Sequence, residues 1–255
     1  MENKVYFVSD AHLSGDNDSR VREKEFCQLL DKIALDGGTL VLLGDIFDFW
    51  FSYRHVVPRG YVRLLGKLAA LSDQGIKIHY FIGNHDMWMF DYLEKELAVE
   101  MHDTPCTMVF DDKRFYVGHG DGLGHLDRHY DTLKWIFRNR FNQWMFSILP
   151  ECMTFGIALR WSQNSKNHHK KEDLRYLGDD REGIVIDCKE KMRSEKIDFC
   201  VFGHRHTPLV MPLSATAEDG TSRQATYVNV GDWLVHRNYA VYENGTITLH
   251  DLSQE

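Results

Sequence analysis

The sequence predicts an α/β fold built as one domain of 255 residues. Hydrophobic residues make up 43% of the chain and aromatic residues 13%, so a full core can form and a disordered protein is excluded. In the first half, short β-rich runs alternate with stretches of helical periodicity, which is typical of a parallel sheet with helical crossovers. In the second half short strands dominate, so sheet structure is expected to continue to the end of the chain.

The first half is predicted to contain three strands separated by two helices. The strands are short apolar runs of the kind that parallel sheets bury, and the helices carry apolar residues at helical spacing, such as Phe26, Leu30 and Ile33. Gly37 is expected to end the first helix. The predicted elements are, in chain order, strand 4–8, helix 21–35, strand 39–43, helix 62–71 and strand 76–82.

The second half is predicted to contain a helical insert and five strands. Residues 126–161 are rich in aromatic residues at helical spacing, and together with the charged stretch behind them they predict an inserted cap over residues 126–190. Asn244 and Gly245 indicate a tight hairpin between the last two strands. The predicted strands are 115–117, 199–202, 226–230, 239–242 and 246–249.

Charge and cysteine usage narrow the class of protein. The formal net charge is −8, which argues against binding to a nucleic-acid backbone, because such binding needs a broad basic surface. The first residues do not resemble a signal peptide, and no uncharged apolar run is long enough to span a bilayer. The five cysteines are scattered and odd in number, as expected for reduced thiols. We therefore expect a cytoplasmic protein.

Polar motifs follow the predicted strands at the point where each strand ends, which is where open α/β sheets place their sites. Any one of these motifs could be an ordinary turn or helix cap, but five occur in order. The side chains contribute oxygen and nitrogen and no thiolate, a set suited to Mn²⁺ or Fe²⁺, with Zn²⁺ as an alternative. Seven ligands exceed the need of one ion, which predicts a site for two. The candidates are Asp10, His12, Asp45, Asn84, His119, His204 and His206.

These motifs resemble those of the calcineurin-like metallophosphoesterase superfamily over almost the whole chain. The matching segments are Asp10-x-His12, Gly44-Asp45-x-x-Asp48, Gly83-Asn84-His85-Asp86, Gly118-His119 and Gly203-His204-x-His206. The resemblance implies a four-layer sandwich of two mixed sheets flanked by helices. It also implies that one metal ion is held by Asp10, His12, Asp45 and His206, and the other by Asp45, Asn84, His119 and His204.

The resemblance implies a reaction as well. In such sites two metal ions about 3.5–4 Å apart share a water or hydroxide that attacks phosphorus. His85 is implied as the general acid, held by Asp86. A hydrogen bond from His85 to the bridging hydroxide is the alternative role, because a sugar-phosphate leaving group needs little protonation.

One branch of the superfamily, the UDP-2,3-diacylglucosamine diphosphatases, is similar beyond the metal ligands. The resemblance to this branch implies hydrolysis of a lipid-linked UDP-sugar to UMP and 2,3-diacylglucosamine 1-phosphate, a step of lipid A synthesis. The alternative is a phosphoesterase of the same fold that acts on another phosphomonoester, phosphodiester or nucleotide. The implied substrate-binding residues are Asn84, Asp127, Asn164, Ser165, Lys166 and His204.

The apolar side chains of the insert have two interpretations. They either pack the cap onto the body or line a slot for acyl chains, which would need an apolar wall beside the polar metal site. The candidates for the slot wall are Phe141, Trp144, Met145 and Phe146.

Basic residues are interleaved with these aromatic residues. Lys134, Arg138 and Arg140 either meet anionic headgroups of the inner membrane leaflet or form an ordinary solvated helix face. The sequence therefore allows peripheral membrane contact on the cytoplasmic side, and it leaves the oligomeric state open.

Overall fold

Two mixed sheets form the centre of the molecule. The computed structural model describes residues 4–125, 128–150, 153–157, 160 and 176–254. The first sheet has six strands in the order β11-β10-β1-β2-β3-β4, and the second has five in the order β5-β6-β7-β9-β8. The strands are β1 Val5–Val8, β2 Thr39–Leu42, β3 Lys77–Phe81, β4 Glu100–His102, β5 Cys106–Phe110, β6 Lys113–Gly118, β7 Phe199–Phe202, β8 Leu209–Thr216, β9 Ser222–Asn229, β10 Asn238–Glu243 and β11 Thr246–Asp251.

Helices cover the outer faces of both sheets. The helices are α1 Asn17–Asp36, α2 Val62–Asp73, α3 Tyr92–Leu97, α4 Arg128–Arg138, α5 Arg140–Ser147 and α6 Gly183–Ser194. Residues 153–157 are also helical. Three apolar clusters separate four layers: one between the first sheet and α1 to α3, one between the two sheets, and one between the second sheet and α6. The predicted sandwich of two mixed sheets flanked by helices is confirmed.

The predicted elements of the first half are confirmed to within a few residues. Strands β1, β2 and β3 pair in parallel, as the alternation of strand and helix indicated. Helix α1 begins earlier than its apolar periodicity suggested, because Asp16 caps the polar first turn and accepts a hydrogen bond of 2.7 Å from Ser19 N. The helix ends at Gly37, whose φ of 75° lies in the left-handed region.

The predicted hairpin is confirmed as well. Strands β10 and β11 pair with Glu243 opposite Thr246, so Asn244 and Gly245 form a two-residue loop. Their φ values of 54° and 77° are those of a type I′ turn, which matches the twist of the strands on either side.

Three strands and two helices, α3 and α6, escape the sequence patterns. Strands β4 and β5 are short and lie at sheet edges, and β8 is an edge strand whose sequence is interrupted by Pro212. Helix α6 begins inside the range predicted for the cap, yet Ile184, Val185 and Met192 pack it against the second sheet. The division into one domain with an inserted cap remains a prediction. No described helix is long and apolar enough to cross a membrane.

Candidate metal centre

Loops after strands of both sheets bring the predicted metal ligands together. Asp10 and His12 follow β1, Asp45 follows β2, Asn84 follows β3, His119 follows β6, and His204 and His206 follow β7. Five of the seven adopt left-handed backbone angles, with φ of 53° at Asp10, 44° at His12, 52° at Asp45, 68° at His204 and 48° at His206. Such strain in residues other than glycine persists where the surrounding structure enforces it, and it gathers at functional sites.

Two glycines allow the loops to approach each other. A Cβ atom on Gly83 would collide with the carboxylate of Asp45, and one on Gly203 would collide with the hydroxyl of Ser9. The motif glycines are therefore required for space at the site and not only for turning the chain.

The first group of ligands consists of Asp10, His12 and His206. The Nε2 atom of His206 lies 3.3 Å from Asp10 Oδ1, and that of His12 lies 3.7 Å from the same oxygen. The two Nε2 atoms are 3.4 Å apart. Three ligand atoms thus face one small volume.

The second group is built around His119. Its Nε2 atom lies 3.3 Å from Asp45 Oδ2 and 3.2 Å from Asn84 Oδ1. His204 completes the group, because the ligand atoms of Asp45, His119 and His204 lie within 4.8 Å of one another. Asp45 also falls within the same limit of His12, which places this carboxylate between the two groups.

The far side of three of the four candidate histidine ligands is held by a further hydrogen bond. These bonds join His12 Nδ1 to Asp48 Oδ1 at 3.0 Å, His206 Nδ1 to Asp232 Oδ2 at 3.2 Å, and His119 Nδ1 to the carbonyl oxygen of Leu43 at 2.7 Å. A partner of this kind fixes the tautomer of a metal-binding histidine and aims its other nitrogen at the metal. The arrangement is that of a metal site.

An unsatisfied oxygen also fits a cation. Asp10 is fully buried, and its Oδ2 atom accepts hydrogen bonds from Ser9 Oγ and from His204 N. Its Oδ1 atom, which faces His12 and His206, has no hydrogen-bond partner. Because a buried acceptor is costly when left alone, the residues present fit a bound divalent ion.

Without metal, the site holds positive charge as protons on histidine. Burial disfavours the charged ring of His119, but the neighbouring Asp45 outweighs it and raises the pKa to about 10. The pKa of His206 also rises to about 10, because Asp10 outweighs burial. His204 moves the opposite way, since burial and the charge on His119 lower its pKa to about 3. Cations would replace the protons on His119 and His206.

The expected contact between His85 and Asp86 is not formed. Asp86 instead accepts hydrogen bonds from the hydroxyl of Tyr80 and from the backbone N–H groups of Gly83 and Ile46. The prediction that Asp86 holds the His85 ring is therefore wrong. Asp86 shapes the loop after β3, because its carboxylate is needed to satisfy backbone N–H groups that turn toward it.

The ring of His85 is held by the backbone of Asp48. Its Nδ1 atom lies 3.1 Å from the carbonyl oxygen of Asp48, and its backbone N–H donates to Asp45 Oδ1 at 2.8 Å. The ring meets that of His12 edge to face, with centroids 4.8 Å apart. His85 thus lies beside the ligands, where it can reach a bound substrate.

Aromatic side chains pack the cap onto the loops of the first sheet. The ring of Phe146 lies 4.6 Å from that of Trp88 and 5.0 Å from that of Phe51. Trp88 Nε1 donates to the carbonyl oxygen of Phe137 at 2.8 Å, and Phe155 packs on Phe49. Phe146, proposed from the sequence for a slot wall, therefore belongs to the packing between cap and body.

Other apolar side chains of the cap face outward. Phe141 is 63% exposed, Trp144 57% and Met145 46%, and their neighbours Trp135 and Ile148 are exposed as well. Scattered exposed apolar residues are ordinary, but a concentration of this kind on two successive helices marks a binding surface.

The basic residues of the cap have mixed surroundings. Lys134 Nζ lies 2.6 Å from Asp121 Oδ2, and Arg138 donates to the carbonyl oxygen of Asp103 at 2.9 Å. Lys134 is therefore engaged with the body, whereas Arg140 is exposed. A cavity of about 250 Å³ lies between α4 and the His119 loop, lined by His119, Asp121 and Lys134 among others.

Four of the predicted substrate-binding residues, Asp127, Asn164, Ser165 and Lys166, lie outside the described residues. Asp232, which holds His206, was not identified as a site residue from the sequence. It follows β9 just as the ligands follow their strands, so the same strand-end signal could have found it.

The fold and the paired ligand groups define a metal-dependent phosphoesterase, and the comparison of sequences gives its family. Residues 3–208 match the family model described as calcineurin-like phosphoesterase, a range that contains all seven candidate ligands. The chain belongs to this family and is a hydrolase.

Two curated relatives and one solved structure are similar to this chain. A UDP-2,3-diacylglucosamine hydrolase of Porphyromonas gingivalis is 34% identical, covering 99% of this chain and 98% of that protein. One of the same name from Aeromonas salmonicida is 25% identical, covering 94% and 89%. Yfce, a phosphoesterase from E. coli, is 16% identical with a TM-score of 0.47, covering 98% and 94% of the two chains.

Proposed function

We propose that this protein hydrolyses the pyrophosphate of UDP-2,3-diacylglucosamine to UMP and 2,3-diacylglucosamine 1-phosphate. One observation carries the chemistry: two groups of ligand atoms, joined by Asp45, lie within 4.8 Å limits at the carboxyl ends of the strands. The substrate class is supported by the relatives that carry this name, the first of which is similar over nearly the whole chain.

The site suits two divalent cations, for which Mn²⁺ is our first choice and Fe²⁺ or Zn²⁺ the alternatives. Asp10, His12, Asp45 and His206 would hold one, and Asp45, Asn84, His119 and His204 the other. When bound, such ions activate water for attack on phosphorus and neutralise charge on the phosphoryl oxygens. Asn84 and His204 would also contact the substrate phosphate.

His85 would accept a hydrogen bond at Nε2 from the water or hydroxide that attacks phosphorus. With Nδ1–H donating to the Asp48 carbonyl oxygen, a neutral ring carries no proton on Nε2. Burial lowers the pKa of His85, so the protonated ring that a general acid needs is disfavoured. This arrangement suits a leaving group such as a sugar phosphate, which departs without being protonated. Asp86 positions the loop that carries His85 and Asn84.

The outward face of α4 and α5 would receive the acyl chains. Phe141, Trp144 and Met145 expose apolar surface on the cap, while the cavity beside His119, to which Asp121 and Lys134 contribute charged side chains, lies under the same cap. A diacylated sugar nucleotide needs both kinds of surface. Since the acyl chains of such a substrate are embedded in lipid, we propose that the protein binds peripherally at the cytoplasmic face of the inner membrane, with Arg140 toward anionic headgroups.

The alternative is a phosphoesterase that acts on a smaller phosphomonoester, phosphodiester or nucleotide. The metal-ligand groups and His85 would serve such a reaction equally well. In that case the exposed aromatic residues of the cap would have no part in substrate recognition.

The test compares three substrates with the Mn²⁺-loaded enzyme. The rates are measured on UDP-2,3-diacylglucosamine, on unacylated UDP-N-acetylglucosamine and on an aryl phosphodiester, with products identified by mass. We expect kcat/KM to favour the acylated substrate by orders of magnitude, because each buried methylene contributes about 0.8 kcal/mol. Equal rates on the acylated and unacylated sugars would refute the lipid substrate and favour the alternative.

A further inference from the structure

A separate group of metal-ligating side chains lies at the edge of the first sheet. It consists of His79 on β3 and of Glu100 and His102 on the neighbouring edge strand β4. In the parallel pairing, His79 lies opposite Glu100 and Phe81 lies opposite His102. Because side chains alternate between the faces of a strand, all three ligand side chains project from the same face.

The distances within this group match a bound zinc ion. His79 Nδ1 lies 3.2 Å from His102 Nε2 and 3.4 Å from Glu100 Oε2, and the remaining pair, His102 Nε2 and Glu100 Oε1, is 3.8 Å apart. Ligands held at about 2.0–2.2 Å around a tetrahedral ion are separated by roughly 3.3–3.6 Å. The two distances to Glu100 involve different carboxylate oxygens, but one ligand atom from each residue lies within 4.8 Å of the other two, so the three side chains can supply three corners of one coordination tetrahedron.

A thiol partners the other nitrogen of His102. Cys106 Sγ, at the start of β5 in the second sheet, lies 3.9 Å from His102 Nδ1. With the proton on Nδ1 directed at the sulfur, the Nε2 lone pair is left for a metal. In the seven-residue site, His12, His119 and His206 likewise use Nδ1 for a supporting hydrogen bond, which leaves Nε2 for a metal.

Burial favours the neutral rings that a metal needs. His79 is almost fully buried, His102 is partly buried, and Glu100 is exposed to solvent. The buried imidazoles with one solvent-facing carboxylate leave a route for an ion and room for water as the fourth ligand.

We propose that His79, Glu100 and His102 form a zinc site outside the phosphoesterase centre. The site lies where the chain passes from β4 of the first sheet to β5 of the second through residues 103–105. An ion there would join the edge strand β4 to β3 and so brace the crossover between the two sheets. The role is structural, with His102 and His79 as the principal ligands.

The experiment measures zinc bound per chain after Mn²⁺ loading and dialysis against ZnCl₂. Wild type is compared with His102→Gln and Glu100→Gln, each with a matched control at an exposed residue, His55→Gln and Glu94→Gln. We expect each site variant to bind one zinc ion fewer per chain than wild type. Zinc should also raise the Tm of wild type more than it raises the Tm of either site variant. The controls should bind zinc like wild type, and phosphoesterase activity with Mn²⁺ should persist in Glu100→Gln and in both controls.

Cys106→Ala provides a graded test. Loss of the partner to His102 should weaken zinc binding by about 10- to 100-fold without abolishing it. Equal zinc content in wild type, His102→Gln and Glu100→Gln would overturn the proposal, and the group would then be a hydrogen bond between two histidines beside a surface carboxylate. Should His102→Gln fail to fold, Glu100→Gln decides, because its side chain lies at the surface.

Discussion

The strand-end loops and the cap differ in what they bury: the loops bury polar side chains, and the cap exposes apolar ones. In the loops, polar side chains are buried: Asp10 is fully inaccessible, and His12 and Asp45 are nearly so. In the cap, apolar side chains such as Phe141 and Trp144 are exposed. Both arrangements lower the free energy of unfolding, because buried charge and exposed apolar surface are each unfavourable.

The difference indicates what each region would bind. Buried oxygen and nitrogen atoms with fixed orientations, as in the loops, would be compensated by small cations. Exposed aromatic surface on α4 and α5 would be compensated by apolar material, which no described part of this chain supplies. The cap is nevertheless anchored, because Phe137, Phe146 and Phe155 are directed toward Trp88 and the loop after β2.

The largest expected effect comes from removing the carboxylate that joins the two ligand groups. Asp45→Ala should reduce kcat by on the order of 10³-fold or more while the fold is kept, because two cations would face each other without a bridging anion. Bound metal and activity are measured on the same sample. Full activity with both metals retained would contradict the two-metal site.

A second test uses the protons of the metal-free site. His119 and His206, with pKa values near 10, are protonated at pH 7 and must lose a proton to bind metal. Raising the pH should therefore strengthen Mn²⁺ binding, by up to about 100-fold per pH unit for two protons between pH 6 and 8. Calorimetry in buffers of different ionisation heat counts the protons released. A count of zero would show that metal does not replace them.

The cap is tested by placing a charge on its exposed apolar face. Phe141→Glu should lower kcat/KM for the diacylated UDP-sugar by about 10- to 100-fold, because contact with a large apolar side chain contributes about 1.5–3 kcal/mol. Val210→Glu, at an exposed apolar position on edge strand β8, is the matched control. Hydrolysis of unacylated UDP-N-acetylglucosamine should not change in either variant. A parallel loss on both substrates would mean that the cap was merely destabilised.

The support behind the ligands is tested at Asp232. Asp232→Asn keeps the shape of the side chain but weakens its hold on His206 Nδ1, which should reduce Mn²⁺ affinity by about 10- to 100-fold. Asp219→Asn, in an exposed turn, is the control. Unchanged affinity would show that the orientation of His206 is set by packing alone.

The smallest effect is expected at His85. His85→Ala should cost about tenfold or less on the UDP-sugar, whose phosphate leaving group needs no proton, and the loss is read from kcat. General-acid catalysis of an alkoxide would instead cost about 10²–10⁴-fold. A severe loss on the UDP-sugar would contradict the hydrogen-bond role assigned to this residue.

The same two regions differ in how well the sequence predicts them. Each metal ligand follows an apolar run within a few residues, so local pattern alone placed Asp10, Asp45, Asn84, His119 and His204 at strand ends. Parallel strands of one sheet end on a common edge, which brings together Asp10, Asp45 and Asn84 in the first sheet and His119 and His204 in the second. Only the packing of the two sheets joins these two sets. Edge strand β4 was missed because it has only three residues, and β8 was missed because Pro212 interrupts its sequence.

Contacts between side chains were predicted less well from the sequence than the positions of the metal-ligand candidates. The sequence suggested that Asp86 holds its neighbour His85, but the carboxylate turns to Gly83 and Tyr80 because it is buried beneath the loop. Likewise, Phe146 and Phe141 look alike in sequence, and packing alone sends one inward and leaves the other exposed.

By itself, the sequence determined an α/β fold with parallel strands and placed the candidate ligands at strand ends, because these follow from periodicity and residue type, while the sandwich of two sheets and the chemistry were implied by its resemblance to a family. Only the tertiary structure decided which aromatic residues face outward, which carboxylates support which histidines, and that His79, Glu100 and His102 form a group. These features depend on side-chain directions across sheets and loops. Such directions arise from three-dimensional packing, which no local pattern of residues encodes.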